Sequence, residues 1–217
     1  MGIPAATLVH QLDPEHALFE RRLPPELAVP AREFETLWNL HPDRFHEMVM
    51  HGKPVKTPRW QQAYERDYQY SGSRNNALPL PAELAPFLSW AQEEIDPRLN
   101  GLLLNWYDGG QRHYIGKHRD SIVGLVPGAP IVTISLGDER KFRLRPWRGS
   151  GFKDFAATDG TVFILPFDTN RAWTHEVPAS QRQTGRRISI TLRAFADEAW
   201  PGGDLPEKWL GTAAATH

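Results

Sequence analysis

From Leu102 to the neighbourhood of Phe195 the sequence breaks into short apolar runs with two-residue alternation, separated by Gly, Pro and Asp. This pattern constrains the fold more than any other feature. Alternation with period two marks strands that bury one face, and closely spaced turn residues leave no room for long helices. Candidate strands cover residues 102–107, 116–120, 131–136, 141–145, 161–165, 172–176 and 187–195. Seven or eight short strands in roughly ninety residues predict a jelly roll, a double-stranded β-helix whose interior holds one small-molecule site. In the last strand Ile188, Ile190 and Leu192 alternate with Arg187, Ser189, Thr191 and Arg193. The apolar set must face packed helices or the other sheet, so the polar set faces the cavity or solvent.

Upstream the pattern changes. Residues 1–30 are read as an irregular arm with one short strand or helix among prolines. Phe34, Leu37 and Trp38 recur at helical spacing until His41-Pro42 closes the segment, since a residue before proline is pushed out of the α region. Residues 81–95 place Leu84, Phe87, Leu88, Ala91 and Ile95 at three- and four-residue steps, a core-facing helix that Pro97 ends. Ser71 to Asn76 reads as a turn or loop. The fold class expected is therefore α+β and mainly β. Residues 1–100 form an N-terminal arm, helices and lid packed on a jelly-roll core at 101–196, followed by a tail at 197–217, all in one structural unit.

Composition excludes several classes. With 25 Lys+Arg against 26 Asp+Glu, the net charge of -1 provides no global attraction to nucleic acid or anionic membrane, so a polyanion would need a local patch. The absence of cysteine excludes disulfides, thiolate metal sites and cysteine nucleophiles. No apolar run approaches a membrane span and the N-terminus lacks signal-peptide character, so a cytoplasmic protein with no obligate protein partner is expected.

Candidate chemistry begins in the stretch from Asn105 to Asp120. His118 and Asp120 lie two positions apart, so on an extended segment both side chains leave one face, as half of a metal site. His175 on a late strand is the available third ligand. Two histidines and a carboxylate form the facial triad of non-haem Fe(II) oxygenases, which leaves positions open for a co-substrate and dioxygen. His41, His46 and His51 sit around a helix end among charged residues and read as solvated or locally bonded. Arg187 and Arg193, six residues apart on one strand face, could grip a short dicarboxylate across roughly 20 Å of strand. Asn105 and Tyr107 share a face and could add neutral hydrogen bonds.

These motifs, in this order, resemble the AlkB family of Fe(II)/2-oxoglutarate-dependent dioxygenases from about Thr57 to Phe195. The resemblance rests on Asn105-x-Tyr107, His118-x-Asp120 and the strand from Pro130 to Gly137, then on Arg140-Lys141-Phe142 and the Asp159-Gly160 turn. Trp173-Thr174-His175 and the Arg187/Arg193 pair complete it. The resemblance implies Fe(II) held by His118, Asp120 and His175, with 2-oxoglutarate met by Arg187 and Arg193 and assisted by Asn105 and Tyr107. It further implies O2-driven oxidation of a substrate C–H bond. The segment from Pro58 to Ser71 is similar to the family's substrate-recognition lid. Ser121, Ile122 and Val123 stand where many base-dealkylating members carry acidic residues, and Ser189 stands where Asn is common.

Two readings of the substrate are open on these residues. Trp60, Tyr64, Tyr68 and Tyr70 could form a platform on which a base of alkylated DNA or RNA stacks, or they could be the half-buried aromatics of a strand or hairpin; Trp60, Tyr64 and Tyr70, with Arg140, are the candidate substrate contacts. Lys141, Arg143 and Arg145 share a strand face that could track phosphates or could simply be solvated. Oxidative dealkylation of N-alkylated nucleobases leads, and hydroxylation of a small molecule or protein side chain is the alternative.

Overall fold

The structure, a computed structural model, describes residues 7–50, 52–70 and 73–196. Its strands in chain order are β1 (Leu8–Gln11), β2 (Ala17–Arg22), β3 (Glu47–Met50), β4 (Lys53–Lys56), β5 (Trp60–Tyr64), β6 (Tyr68–Tyr70), β7 (Ser73–Asn75) and β8 (Ala77–Leu78). They continue with β9 (Gly101–Asp108), β10 (Ile115–His118), β11 (Ile131–Gly137), β12 (Arg140–Pro146), β13 (Lys153–Ala157), β14 (Thr161–Leu165), β15 (Trp173–Val177) and β16 (Arg186–Arg193). The helices are α1 (Ala31–Trp38), α2 (Ala85–Glu94) and the short α3 (Phe167–Ala172).

Two sheets face each other as a jelly roll. The larger runs β1-β2-β14-β11-β16-β9-β5-β8, and the smaller runs β10-β15-β12-β13. The larger sheet draws strands from both sides of residue 101. Hairpins β3-β4 and β6-β7 form separate two-stranded units.

The period-two pattern explains which face each strand buries. On β9 and β16, Leu102, Leu104 and Trp106 and Ile188, Ile190 and Leu192 join Val132, Ile134 and Leu136 of β11 in one core. That core is covered by Leu37 and Trp38 of α1, by Phe87 and Ala91 of α2, and by Leu84 just before α2. Pro30 precedes α1, and a proline lies in the first turn of α2, positions where a missing N–H and a preset φ suit a helix start. The Trp106 indole N–H donates to Leu37 O at 3.0 Å, tying α1 to the central strands. A second core lies between the sheets and includes Phe142, Leu144, Phe163 and Trp173. The β11-β12 turn needs glycine at 137: φ is +84° and a Cβ would lie 2.6 Å from Arg186 O. Leu104 has no exposed surface, so Leu104→Ala should cost about 2–5 kcal/mol, read as a lower urea midpoint at unchanged slope.

Several expectations are revised. The N-terminal arm is a β-hairpin: β2 pairs with β14 and β1 with β2, extending the large sheet by two strands. Ser73 to Asn75 is a strand, not loop, while Ser71 and Gly72 lie outside the described residues. Strand β13 is absent from the sequence-based expectation; its sequence KDFAA has little β-branched character, and pairing with β12 holds it in place. The 197–217 tail and His51 also lie outside the described residues.

Candidate metal and co-substrate site

Strand parity builds the site. Arg187, Ser189, Thr191 and Arg193 of β16 point away from the helices, and so do Asn105 and Tyr107 of β9, paired at Ser189↔Asn105 and Arg187↔Tyr107. All six line a cavity of about 410 Å³ between the sheets. From the smaller sheet His118 ends β10, and His175 lies opposite it in register on β15. Asp120 lies past the end of β10 in a loop, not on the strand itself.

The three candidate ligands meet. One nitrogen or oxygen from each of His118, Asp120 and His175 lies within 4.8 Å of the others. Asp120 Oδ1 is 3.6 Å from His118 Nε2 and 3.7 Å from His175 Nε2. The His118 Nδ1–H donates to Gly116 O at 2.8 Å, which leaves Nε2 as the free lone pair. Burial, reinforced by the neighbouring His118, pushes His175 down to about 3, so its imidazole is neutral and competent to ligate at neutral pH. For Asp120 burial acts upward, but Arg193 and the two histidines hold the carboxyl well below its usual range.

Arg193 divides the carboxylate in two. Its Nε and Nη2 donate to Asp120 Oδ2 at 2.9 and 2.6 Å, so Oδ1 alone is turned towards the histidines. The guanidinium also lies 4.3 Å over the Tyr68 ring, whose own hydroxyl is raised by burial. Nη1 of Arg193 is buried without a partner. Arg187 is still less satisfied: Nη2 donates to Ser135 Oγ at 2.8 Å, whereas Nε and Nη1 have no hydrogen-bond partner. Burial lowers Arg187 to about 10, which leaves it charged at neutral pH.

This donor set fits a divalent ion with an anionic co-substrate beside it. Two imidazoles and one monodentate carboxylate suit Fe(II) and leave coordination positions open. Unpaired buried guanidinium N–H groups are costly, and a carboxylate is the group that satisfies them.

The substrate contacts expected from the sequence separate. Tyr70 lines the cavity. Trp60 and Tyr64 pair with Trp106 and Leu102 across β5-β9, which puts them on the helix-covered face. There Trp60 stacks between His41 and Phe45, and Tyr64 is buried in the core with its hydroxyl pushed up to about 12 by burial. Arg140 is 2% exposed and donates to Gln183 O and Gly185 O, bracing the loop that leads into β16, away from the cavity. Lys141, Arg143 and Arg145 do share the outer face of β12. Asp154 pairs with Lys141 and Arg143, and Glu176 with Arg145, so the row is largely neutralised.

Sequence reasoning missed Arg59, Gln61 and Asn170. The buried Arg59 donates from Nε to Asn105 Oδ1 at 2.7 Å and from Nη2 to Gln61 Oε1 at 3.1 Å, holding Asn105 at the cavity wall. Gln61 is one residue out of phase with Trp60, but only its pairing with Asn105 in the structure shows which face it takes.

Comparison with known proteins agrees with this geometry. Residues 28–193 match the family model described as the 2OG-Fe(II) oxygenase superfamily. The human protein named DNA oxidative demethylase ALKBH2 is 28% identical over 153 residues, covering 65% of this chain and 58% of its own length. Its mouse counterpart is 29% identical, covering 65% and 64%. The chain thus spans about three fifths of these relatives. A solved structure titled "The structure of OsALKBH1" aligns with a TM-score of 0.53 at 15% identity, covering 86% of this chain and 99% of that one, a likeness of fold. The family model spans most of the chain and the His-Asp-His cluster stands where such chemistry requires it, so the chain belongs to the 2OG-Fe(II) oxygenase superfamily as an AlkB-like dioxygenase.

Proposed function

We propose that this enzyme dealkylates N-alkylated bases in DNA or RNA, using Fe(II) at His118, Asp120 and His175 and 2-oxoglutarate beside Arg187. The observation that carries the reading is the convergence, in one cavity, of the His-Asp-His cluster with buried arginine N–H groups that lack partners. Relatives named as DNA oxidative demethylases favour a nucleobase as the substrate. Bound iron, with 2-oxoglutarate and O2, supplies the oxidation of an N-methyl C–H bond, giving succinate, CO2 and a hydroxymethyl base that loses formaldehyde.

The side chains position; none serves as a general acid or base. Arg187, oriented by Ser135 Oγ, binds one carboxylate of the co-substrate. Arg193 holds Asp120 Oδ2 and keeps Nη1 for the co-substrate. Arg59 fixes Asn105, whose amide then faces the cavity in a set orientation. Tyr70, held by Gln61, offers a ring to a flat substrate at the cavity wall. Among the described residues no helix is long and apolar enough to cross a membrane. The same reading puts the enzyme in the cytoplasm, with nucleic acid as its macromolecular partner and no obligate protein partner.

One observation favours the alternative, hydroxylation of a small molecule or protein side chain. The loop after Asp120 carries no acid to read a base edge, and Ile122 and Val123 are 43% and 78% exposed. Succinate and formaldehyde release from iron-loaded protein, measured with methylated DNA, methylated RNA and a metabolite pool, separates the two. Formaldehyde with an oligonucleotide is the expected result. Succinate with metabolites alone would replace dealkylation by hydroxylation.

A further inference from the structure

We propose that Asn170 is a positioning residue for Asp120, setting the approach of its Oδ1 to the two histidines; this rests on the reading of His118, Asp120 and His175 as metal ligands. Strand β10 ends at His118, so Asp120 lies beyond the pairing with β15. Its peptide is nonetheless buried, and a buried N–H and C=O each need a partner. One side chain supplies both. Asn170 Oδ1 accepts from Asp120 N at 3.0 Å, and Asn170 Nδ2 donates to Asp120 O at 3.1 Å.

The residue type follows from this pairing. A carboxamide presents one acceptor and one donor side by side, the complement of a peptide's own pair, whereas Asp lacks the donor and an aliphatic side chain lacks both. Asn170 is 1% exposed, lines no part of the cavity and lies outside the metal cluster, so it acts only through Asp120.

Its place in the chain adds a second consequence. Asn170 lies in α3, which runs directly into β15 and reaches His175 five residues later. A third bond, from Arg119 Nη1 to Arg171 O at 2.7 Å, docks the same loop on the same helix. The helix is fastened from behind: Thr169 Oγ1 donates to Ala17 O at 3.0 Å, and the indole N–H of Trp173, which follows α3, donates to Asp13 Oδ2 at 2.8 Å. Two ligand-bearing segments distant in sequence are therefore held at one spacing by α3, with Asn170 as the joint.

The test is Mn(II) binding to the metal-free full chain by calorimetry, with circular dichroism to confirm folding. Asn170→Ala is expected to weaken Mn(II) binding about 10- to 100-fold, the usual effect of losing an outer partner of a ligand. Asn170→Leu, of similar size but with neither donor nor acceptor and no added charge, should weaken it in the same direction and keeps the test available should the alanine variant not fold. Thr161→Ala loses a buried hydroxyl that bonds Arg22 and Thr158, away from the cavity and from α3, so it should bind as wild type does. Folded Asn170 variants that bind within twofold of wild type would overturn the proposal, as would equal weakening in Thr161→Ala. Failure of wild type itself to bind, or undiminished binding by His175→Ala, would instead overturn the assignment of the metal ligands.

Discussion

Replacing His175 by alanine should reduce iron-dependent succinate release on the order of 10³-fold or more, equivalent to ~4 kcal/mol in the barrier, with only a small loss of folding stability. The imidazole is buried, held neutral by that burial, and its Nε2 lies 3.7 Å from Asp120 Oδ1, where it can share a metal but balances no charge in the metal-free fold. Asp120→Ala should abolish turnover to the same degree and differ in stability. Its carboxylate is the counter-ion of Arg193, a guanidinium 4% exposed, and removing one member of such a pair costs about 3–5 kcal/mol because the other charge stays buried. Succinate assays with urea unfolding of both variants check the pair of outcomes. Activity surviving in His175→Ala would mean that the metal is held elsewhere, and equal stability of the two variants would mean that Asp120 is not what neutralises Arg193.

Arg187→Met should raise the concentration of 2-oxoglutarate needed for half-maximal turnover by about 30-fold or more, which corresponds to ~2 kcal/mol of lost charge-assisted hydrogen bonding. Its effect on the free protein should have the opposite sign. Arg187 is 1% exposed, is charged at neutral pH, and has only the neutral side chains of Ser135 and Tyr107 as polar neighbours that favour its charge, with no carboxylate ion-paired to it among the described residues. An uncompensated buried charge lowers stability, so a methionine of similar length should leave the ligand-free protein as stable as wild type or more so. Wild type should gain thermal stability when 2-oxoglutarate is added with Mn(II), and the variant should gain much less. Unchanged co-substrate dependence in Arg187→Met would remove Arg187 from the binding site.

His175, Asp120 and Arg187 are all legible in the amino-acid sequence. Alternation on β16 separates Ile188, Ile190 and Leu192 from Arg187, Ser189, Thr191 and Arg193, and the side-chain period of a strand leaves no other division. Trp60 and Tyr64 show where that logic runs out. Their spacing puts them on one face, but which face depends on register with β9, and the pairing Trp60↔Trp106 turns them to the helices. Tyr70, on a different hairpin, is the one of the three aromatics that reaches the cavity. The basic row on β12 shares one outer face as its alternation requires, but its neutralisation by Asp154 and Glu176 comes from neighbouring strands.

The sequence alone determined the jelly-roll class, which residues share a strand face and the candidate ligand types, since each follows from local periodicity and residue chemistry. Tertiary structure decided what depends on partners distant in the chain. It made the N-terminal arm a pair of strands by offering β14 as a template, turned Arg140 into a brace for residues 183–185, and gave Asp120, which has left its strand, a substitute ladder in the side chain of Asn170. Hydrogen bonds across forty or more residues carry no local signature, so the candidate ligands could be named from the sequence while the groups that fasten them could not.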